Sequence, residues 1–416
     1  MNVLLCSLGS HGDVHPYLAL GRELLARGHG VTFATSSCYG DLIERHGIRF
    51  APIRPDSPFH DRRAMARIMD ARRGPQAVIQ EHLMPALRDT YEDLLKPVAW
   101  ADLLVSHVLT YPVPVLAEQF GKPWASTVLS PMVFFSAYDV PVLAPLPMLA
   151  RLRPLGPWFN GWLIRLMKRV SRSWSRPVAL LRRELGLAPG GDPLWEGQHS
   201  PHLVLAMFGS RFGPAQPDWP PNVHITGFPF LDSAEDPLEV GLERFVSEGE
   251  PPVVFTLGSS AVQVAGEFYS IAARAALAIG RRAVLVAGPS ARAIQGSLPS
   301  TMTVVEWANY PGLFARAAVV VHQGGVGTTA QALRAGVPQL VMPFAHDQYD
   351  NADRVRRLGC GRVLRRGRLS VSTLAGELKA LLGNANYGVA AGKEGRLIAG
   401  DGGAADAADL LDRHFA

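Results

Sequence analysis

Cysteine is scarce in this chain of 416 residues. Its three thiols, Cys6, Cys38 and Cys360, lie far apart and form no CxxC pair. That spacing excludes a disulfide framework and a Cys/His zinc site, and it fits a reducing compartment. Nowhere do about 18 apolar residues run uninterrupted, so no transmembrane helix is expected. The nearest approach, "VPVLAPLPMLA" at 140–150, is broken by prolines. The opening "MNVLLCSLGS" lacks a basic region and its short apolar run ends in Gly-Ser, so it reads as a strand and not as a signal peptide. Charge is also sparse, at 19% of residues with a formal net charge of +5. With no Lys/Arg tract and no nucleic-acid motif, nucleic acid is not an expected partner, whereas an anionic ligand or an anionic membrane surface is compatible.

What is plentiful is apolar sequence cut by turns. Hydrophobic residues make up 48%, with 41 Gly and 33 Pro. The length predicts two domains. In the first half, "NVLLCSL", "HGVTFAT", "IRFAPI", "LLVSH" and "PWASTVLS" read as buried strands. Between them "HPYLALGRELLARG", "YGDLIERHG" and "PVPVLAEQFG" have helical spacing. The second half restarts with "PPVVFTLGSS", "RRAVLVAG", "MTVVEWA", "AVVVHQGG" and "PQLVMPF" as strands separated by helices. Strand–helix alternation of this kind predicts an α/β protein with two doubly wound parallel sheets facing across a cleft. Residues 1–213 form the expected N-terminal domain, and the proline-heavy 214–235 a linker. Residues 236–395 form the C-terminal domain, and 396–416 a final helix packing back on the first.

In such sheets ligands bind beyond the carboxyl ends of the strands. Chemically loaded residues fall there. "HQGGVGTT" places His322, Gly324, Gly325, Gly327 and Thr328 between a strand and a helix N-terminus. Glycines let the backbone approach an anion, and the free N–H groups and helix dipole attract phosphate. His322 could add a donor to a phosphate oxygen. In "FAHDQYDN", Asp347 and Gln348 offer the acceptors and donors that suit a polyol, although Asp347 could equally be a helix cap. Trp307 could give an aromatic face to a base. Near the N-terminus, "GSHGDVHP" packs His11, Asp13 and His15 into a turn after the first strand. Together the set reads as a site for a base, a diphosphate and a sugar.

"VEWANYP…HQGGVGTTAQALRAGVPQLVMPFAHDQYDNADRV" and "GSHGDVHPYLALGRELLARGHGVTFAT" resemble the donor-binding region and the N-terminus of family-1 glycosyltransferases of the GT-B fold. The nearest subgroup holds sterol glucosyltransferases, antibiotic-aglycone glycosyltransferases and the rhamnosyltransferase of rhamnolipid biosynthesis. The resemblance implies an inverting, nucleotide-sugar-dependent hexosyltransferase with a TDP- or UDP-linked donor. It puts His322, Gly324, Gly325, Gly327 and Thr328 on the diphosphate, Asp347 and Gln348 on the sugar, Trp307 on the nucleobase, and Ser259 or Ser260 beside the phosphates. Plant members carry a Glu for the ribose, where this chain has Gln331 or Ala330. Asp13, at the head of Asp13-Val14-His15-Pro16, falls on the acceptor-activating position. His11 is the alternative base, since imidazole has a free pKa of ~6.5 against ~3.9 for a carboxylate. No DxD sequence occurs, so no metal cofactor is expected.

The acceptor is read only from the character of residues 131–183. Phe134, Phe135 and Tyr138 are candidates to line an apolar cavity. The Arg- and Trp-containing stretch 151–183 suits the headgroup zone of an anionic bilayer. These features predict a hydrophobic acceptor such as a hydroxyacyl lipid, with a sterol or polyketide hydroxyl as the alternative. The predicted location is cytoplasmic, with peripheral association at the inner membrane face. A nucleotide-sugar epimerase and a non-catalytic lipid-binding protein are the rival readings.

Overall fold

The computed structural model describes residues 1–58, 61–231, 237–295 and 298–416. Seven parallel strands form the first sheet: β1 (Asn2–Cys6), β2 (Gly30–Thr35), β3 (Arg49–Pro52), β4 (Leu103–His107), β5 (Trp124–Val128), β6 (Leu203–Ala206) and β7 (Val223–Ile225). Their order is β3-β2-β1-β4-β5-β6-β7. Six parallel strands form the second: β8 (Val253–Thr256), β9 (Ala283–Val286), β10 (Met302–Val305), β11 (Val319–His322), β12 (Gln339–Val341) and β13 (Gly361–Val363), in the order β10-β9-β8-β11-β12-β13. Strands β1, β4, β5 and β6 are buried along almost their whole length, as are β8, β9 and β11, which is why they read as continuous apolar runs and not as alternation. The strand order reverses between β1 and β4 and again between β8 and β11. These two switch points are where crevices open at the carboxyl ends.

Six helices bear on the site and its surroundings: α1 (His11–Ala26), α2 (Arg62–Ile68), α3 (Gly156–Ser171), α4 (Val326–Arg334), α5 (Gln348–Arg357) and α6 (Ala404–Phe415). Helix α2 follows β3 but does not stay with its own sheet. Met65 at its centre and Met69 just beyond it join the apolar core of the second domain, so this segment crosses the cleft. Helix α6 makes the reverse crossing. Its Ala407, Ala408 and Leu411 complete the core of the first domain. Arg27 at the end of α1 pairs with Asp409 at 2.5 Å and Asp412 at 3.1 Å.

Two readings of the sequence need correction. Residues 223–225, inside the expected linker, are the edge strand β7, paired with β6. Four prolines in 214–221 mask a strand that is only three residues long, and Pro is compatible with the approach to an edge strand. The last linker residues, 232–235, lie outside the described residues. Between β3 and β4 stands a further helix, Leu87–Trp100, which the sequence reading passed over although Leu87, Tyr91, Leu94 and Val98 recur at helical spacing.

Candidate functional site

Asp13 does two things at once. Helix α1 begins at His11, earlier than the proline-based expectation, with Ser10 as its N-cap. The Ser10 hydroxyl accepts from Gly12 N–H at 3.2 Å. Asp13 Oδ2 accepts from Ser10 N–H at 2.7 Å and from its hydroxyl at 3.1 Å, which closes a capping box. Capping therefore uses one carboxylate oxygen. The other, Oδ1, faces His107 Nε2 at 3.7 Å. His15 is held neutral: burial, with His11 and His46 nearby, pushes its pKa down to about 4. The His11 ring packs edge-on against His15 and Tyr39, and burial also lowers its pKa.

His107 is a residue that the sequence reading missed. It ends β4, directly across the switch point from the loop after β1, and it is 4% exposed. A histidine at the carboxyl end of a switch-point strand is the signal that could have found it. Its Nδ1 has no hydrogen-bond partner within reach among the described residues. The residue also borders a small cavity of about 50 Å³ together with Thr110, Tyr111, Val178, Arg182 and Gln198.

Across the cleft, the Gly-rich loop after β11 comes up against α1. A Cβ placed on Gly327 would lie 3.8 Å from Gly12 Cα. Gly324 has φ +89°, and any side chain there would strike Val341 and the Gln348 carbonyl. His322 is fully buried beneath this loop. Its Nδ1 accepts from Gly324 N–H at 3.0 Å and its Nε2 pairs with Gln339 Oε1 at 2.8 Å. Burial pushes its pKa down to about 4, so the ring is neutral, with Nε2–H as donor to Gln339. Both ring nitrogens are thus committed to the protein. The direct donor to a phosphate oxygen expected of His322 is corrected to a residue that shapes the loop from below. A buried side chain between this loop and the turn after β8 is Gln323, also missed. A Cβ on Gly258, the φ +61° residue after β8, would collide with its Nε2. Its Oε1 is buried without a partner among the described residues. Thr328 lies beside it, and Ser259 and Ser260 occupy the helical turn Gly258–Ala261 that faces the same loop.

Asp347 stands at the N-cap position of α5 but makes no cap hydrogen bond. Its Oδ2 accepts instead from Asn351 Nδ2 at 2.8 Å. Burial raises its pKa to about 7, with the charges of Asp13 and Asp350 adding to the rise. Gln348 Oε1 accepts from the N–H groups of Phe344 and Ala345, so what it can offer a sugar hydroxyl is its Nε2 donor. His346 has φ +54°, an uncommon value for a side-chain-bearing residue. Its ring meets the α2 crossing segment, since a Cβ on Gly74 would lie 3.3 Å from His346 Cε1.

Trp307 follows β10 and is 64% exposed, a free aromatic face at the mouth of the second sheet. Gln331 on α4 has a buried Oε1 without a partner among the described residues, at the turn where a ribose contact would be sought.

The three aromatic acceptor candidates do not come together. Phe134 stacks on Trp219 with ring centroids 4.2 Å apart and joins a core cluster. Phe135 packs on Trp195 at 4.3 Å. Tyr138 is exposed. None of them lines the cavity beside His107, which is walled by residues of 106–115 and 178–198. Aromatic composition identified apolar surface, but Trp195 and Trp219, distant in sequence, use two of the rings for packing.

The arrangement places a carboxylate with one free oxygen near a Gly-rich loop and a carboxylate–amide pair. Residues 277–399 match the family described as erythromycin biosynthesis protein CIII-like, C-terminal domain. Residues 3–97 match the glycosyltransferase family 28 N-terminal domain. The chain is 33% identical over 426 aligned residues to O-mycaminosyltylonolide 6-deoxyallosyltransferase of Streptomyces fradiae, covering 99% of this chain and 97% of that enzyme. It is 27% identical to a sterol 3-beta-glucosyltransferase of Leptosphaeria maculans over 90% of this chain, which spans 26% of that longer protein. The solved glycotransferase of kitacinnamycin superposes with a TM-score of 0.71 at 23% identity, covering 100% of this chain and 99% of that one. This chain belongs to the family-1 glycosyltransferases of the GT-B fold and is a nucleotide-sugar-dependent glycosyltransferase.

Proposed function

We propose that the protein transfers a hexosyl group, rhamnosyl first and glucosyl next, from a thymidine- or uridine-diphospho sugar to a hydroxyl of a large apolar acceptor. The observation that carries this reading is the approach of the first turn of α1, which holds Asp13, to the Gly-rich segment at the start of α4, Gly12 against Gly327. It brings a base and a leaving-group cradle to one spot. The acceptor hydroxyl attacks the anomeric carbon in line with the diphosphate, and a single displacement inverts that centre. Asp13 Oδ1 takes the hydroxyl proton. Main-chain N–H groups at the start of α4, with Gln323 and Thr328, meet the charge that develops on the leaving phosphate. The Asp347 carboxylate and the Gln348 amide hold the sugar, Trp307 packs on the base, and no metal is required.

The relative from Streptomyces is named for a macrolide substrate and a 6-deoxyhexose, and the fungal relative for a sterol. Both names favour a polyketide or sterol hydroxyl over the hydroxyacyl lipid. The test is a grid of both nucleotides and several sugars against macrolide aglycones, sterols and hydroxyacyl lipids, read by mass spectrometry. Transfer only to small polar acceptors overturns the acceptor reading.

A second observation favours collection of the acceptor at the inner face of an anionic membrane. On α3, Trp158, Trp162, Leu166 and Val170 recur every four residues and are all exposed, at 82%, 49%, 44% and 68%. Arg165 and Arg169 run alongside, and no Asp or Glu occurs from 140 to 183. An apolar stripe edged by cations is the pattern of a helix lying in a headgroup zone. Flotation with phosphatidylglycerol vesicles should carry the protein up. Trp158→Ala with Trp162→Ala should abolish flotation and leave transfer to a soluble acceptor intact. No flotation by the unaltered protein overturns the membrane association.

A further inference from the structure

A carboxylate is in general a weak base for an alcohol, and one oxygen of Asp13 is already engaged by the N-terminal turn of α1. Something near it must take up the difference. A titratable group across the switch point, His107, has its Nε2 3.7 Å from the carboxylate oxygen that capping leaves over. The ring is enclosed. It is 4% exposed, Tyr17 lies edge-on to it with centroids 6.0 Å apart, and no partner within hydrogen-bond reach among the described residues satisfies its Nδ1. A buried imidazole whose Nε2 faces the leftover oxygen of a carboxylate, with the Leu8 main chain as its other polar neighbour, is placed to exchange a proton with that carboxylate. His322 in the other domain is the contrast: it has both nitrogens paired and serves the loop.

We propose that His107 acts through Asp13 as the proton partner of the base, so that the acceptor is activated by the pair and not by the carboxylate alone. This rests on the transferase reading given above. As the acceptor oxygen bonds to the anomeric carbon, its O–H bond breaks and the proton passes to Asp13 Oδ1. The anomeric carbon–phosphate oxygen bond breaks with its electron pair leaving on the diphosphate. The proton is then shared with His107 Nε2, leaving an aspartate–imidazolium pair in place of a neutral carboxylic acid. Burial keeps the resting imidazole neutral by lowering its pKa, while Asp13 and the Leu8 main chain pull that pKa back up. The ring is therefore empty of the proton before the reaction and has an anion waiting beside it when the proton arrives. The 3.7 Å separation is within about 1 Å of a hydrogen bond, and catalytic hydrogen bonds tighten in the Michaelis complex.

The test uses the whole chain with three variants, His107→Leu, His107→Gln and Asp13→Asn, and two acceptors of one scaffold that differ in acidity, an aliphatic alcohol and a phenol. His107→Leu should lower kcat for the alcohol by about 100-fold, a loss in the ordinary range for acid–base assistance. It should leave nucleotide affinity unchanged, since the nucleotide sits on the other domain. For the phenol, which needs less help to lose its proton, the loss should shrink to a few-fold. His107→Gln keeps a polar side chain but cannot take a proton, and it should stay slow. On an Asp13→Asn background, His107→Leu should cost nothing further, as two groups acting as one unit do. Equal losses for alcohol and phenol, full rescue by His107→Gln, or additive losses in the double variant would overturn the proposal. Melting of each variant separates a folding defect from these outcomes. No transfer by the unaltered chain to any acceptor would instead sink the transferase reading, which is a different result.

Discussion

Asp347 Oδ2 accepts a hydrogen bond from Asn351 Nδ2 at 2.8 Å, and the same nitrogen also donates to the Gly324 carbonyl at 2.9 Å. One amide thus ties the carboxylate assigned to the sugar to the loop assigned to the diphosphate. The two halves of the donor site are positioned as a unit.

Burial lifts the Asp347 carboxyl to about 7, and the anions Asp13 and Asp350 add to that rise while Asn351 opposes it. The folded chain therefore holds this proton more tightly than the unfolded chain, in which the carboxyl is ionised above pH ~3.9. From there up to about pH 7 the group costs progressively more stability, and above 7 the cost is constant. Its power to accept sugar hydroxyls follows the opposite course and grows through pH 7. Titrated by calorimetry between pH 5.5 and 8.5, donor affinity should rise with pH in the unaltered protein. With Asp347→Asn it should be weaker and flat. An unchanged slope in the variant would remove Asp347 from the effect.

His322→Ala should weaken the nucleotide and slow transfer together, because the defect lies in the shape of the loop. It leaves Gln339 Oε1 and Gly324 N–H without their partner in a buried place, each worth about 1–3 kcal/mol. A clear drop in melting temperature is expected. A variant with normal stability and a purely catalytic loss would restore the direct phosphate role.

Asp13→Asn retains an oxygen for the Ser10 cap, so its melting temperature should stay close to that of the unaltered chain. Transfer to an alcohol should fall by orders of magnitude while nucleotide affinity holds. If this variant is active and His11→Ala is inactive, the base is His11.

Helix α5 is also anchored by residues of the first domain. Arg354, 2% exposed, binds Asp350 at 2.6 Å, Asp139 at 2.8 Å and the Phe212 carbonyl at 2.8 Å. Asp350 in turn accepts from Val142 N–H at 2.9 Å. Removing one member of a buried ion cluster strands the others, so Arg354→Ala should cost about 3–5 kcal/mol. Denaturant unfolding measures it. Because the same helix begins with Asp347 and Gln348, the variant should also weaken the donor.

Transfer should persist in excess chelator, since the Gly-rich loop and the α4 N-terminus are the groups proposed to meet the diphosphate. Among the described residues no cluster of three or more His, Cys, Asp or Glu is arranged to hold a metal ion. Full loss with chelator, restored by magnesium or manganese, would contradict this.

The sequence by itself determined the two parallel sheets, because strands buried on both faces must be apolar throughout and their connecting helices carry their own spacing. It also determined the positions of Asp13, the Gly-rich loop, Asp347 and Gln348, since each lies within a few residues of a strand end. Only the tertiary structure decided which of these atoms are free. Asp13 uses Oδ2 for its own helix and keeps Oδ1, while His322 gives away both nitrogens. Only folding brought His107 to Asp13, 94 positions away, through the register that sets β4 beside β1. Phe134 and Phe135 were legible as apolar residues, but Trp219 and Trp195, their packing partners, were not legible as neighbours. Local pattern reports what a residue is and where its strand ends. Which partner takes its hydrogen bond depends on chain segments that meet only when the sheets have formed.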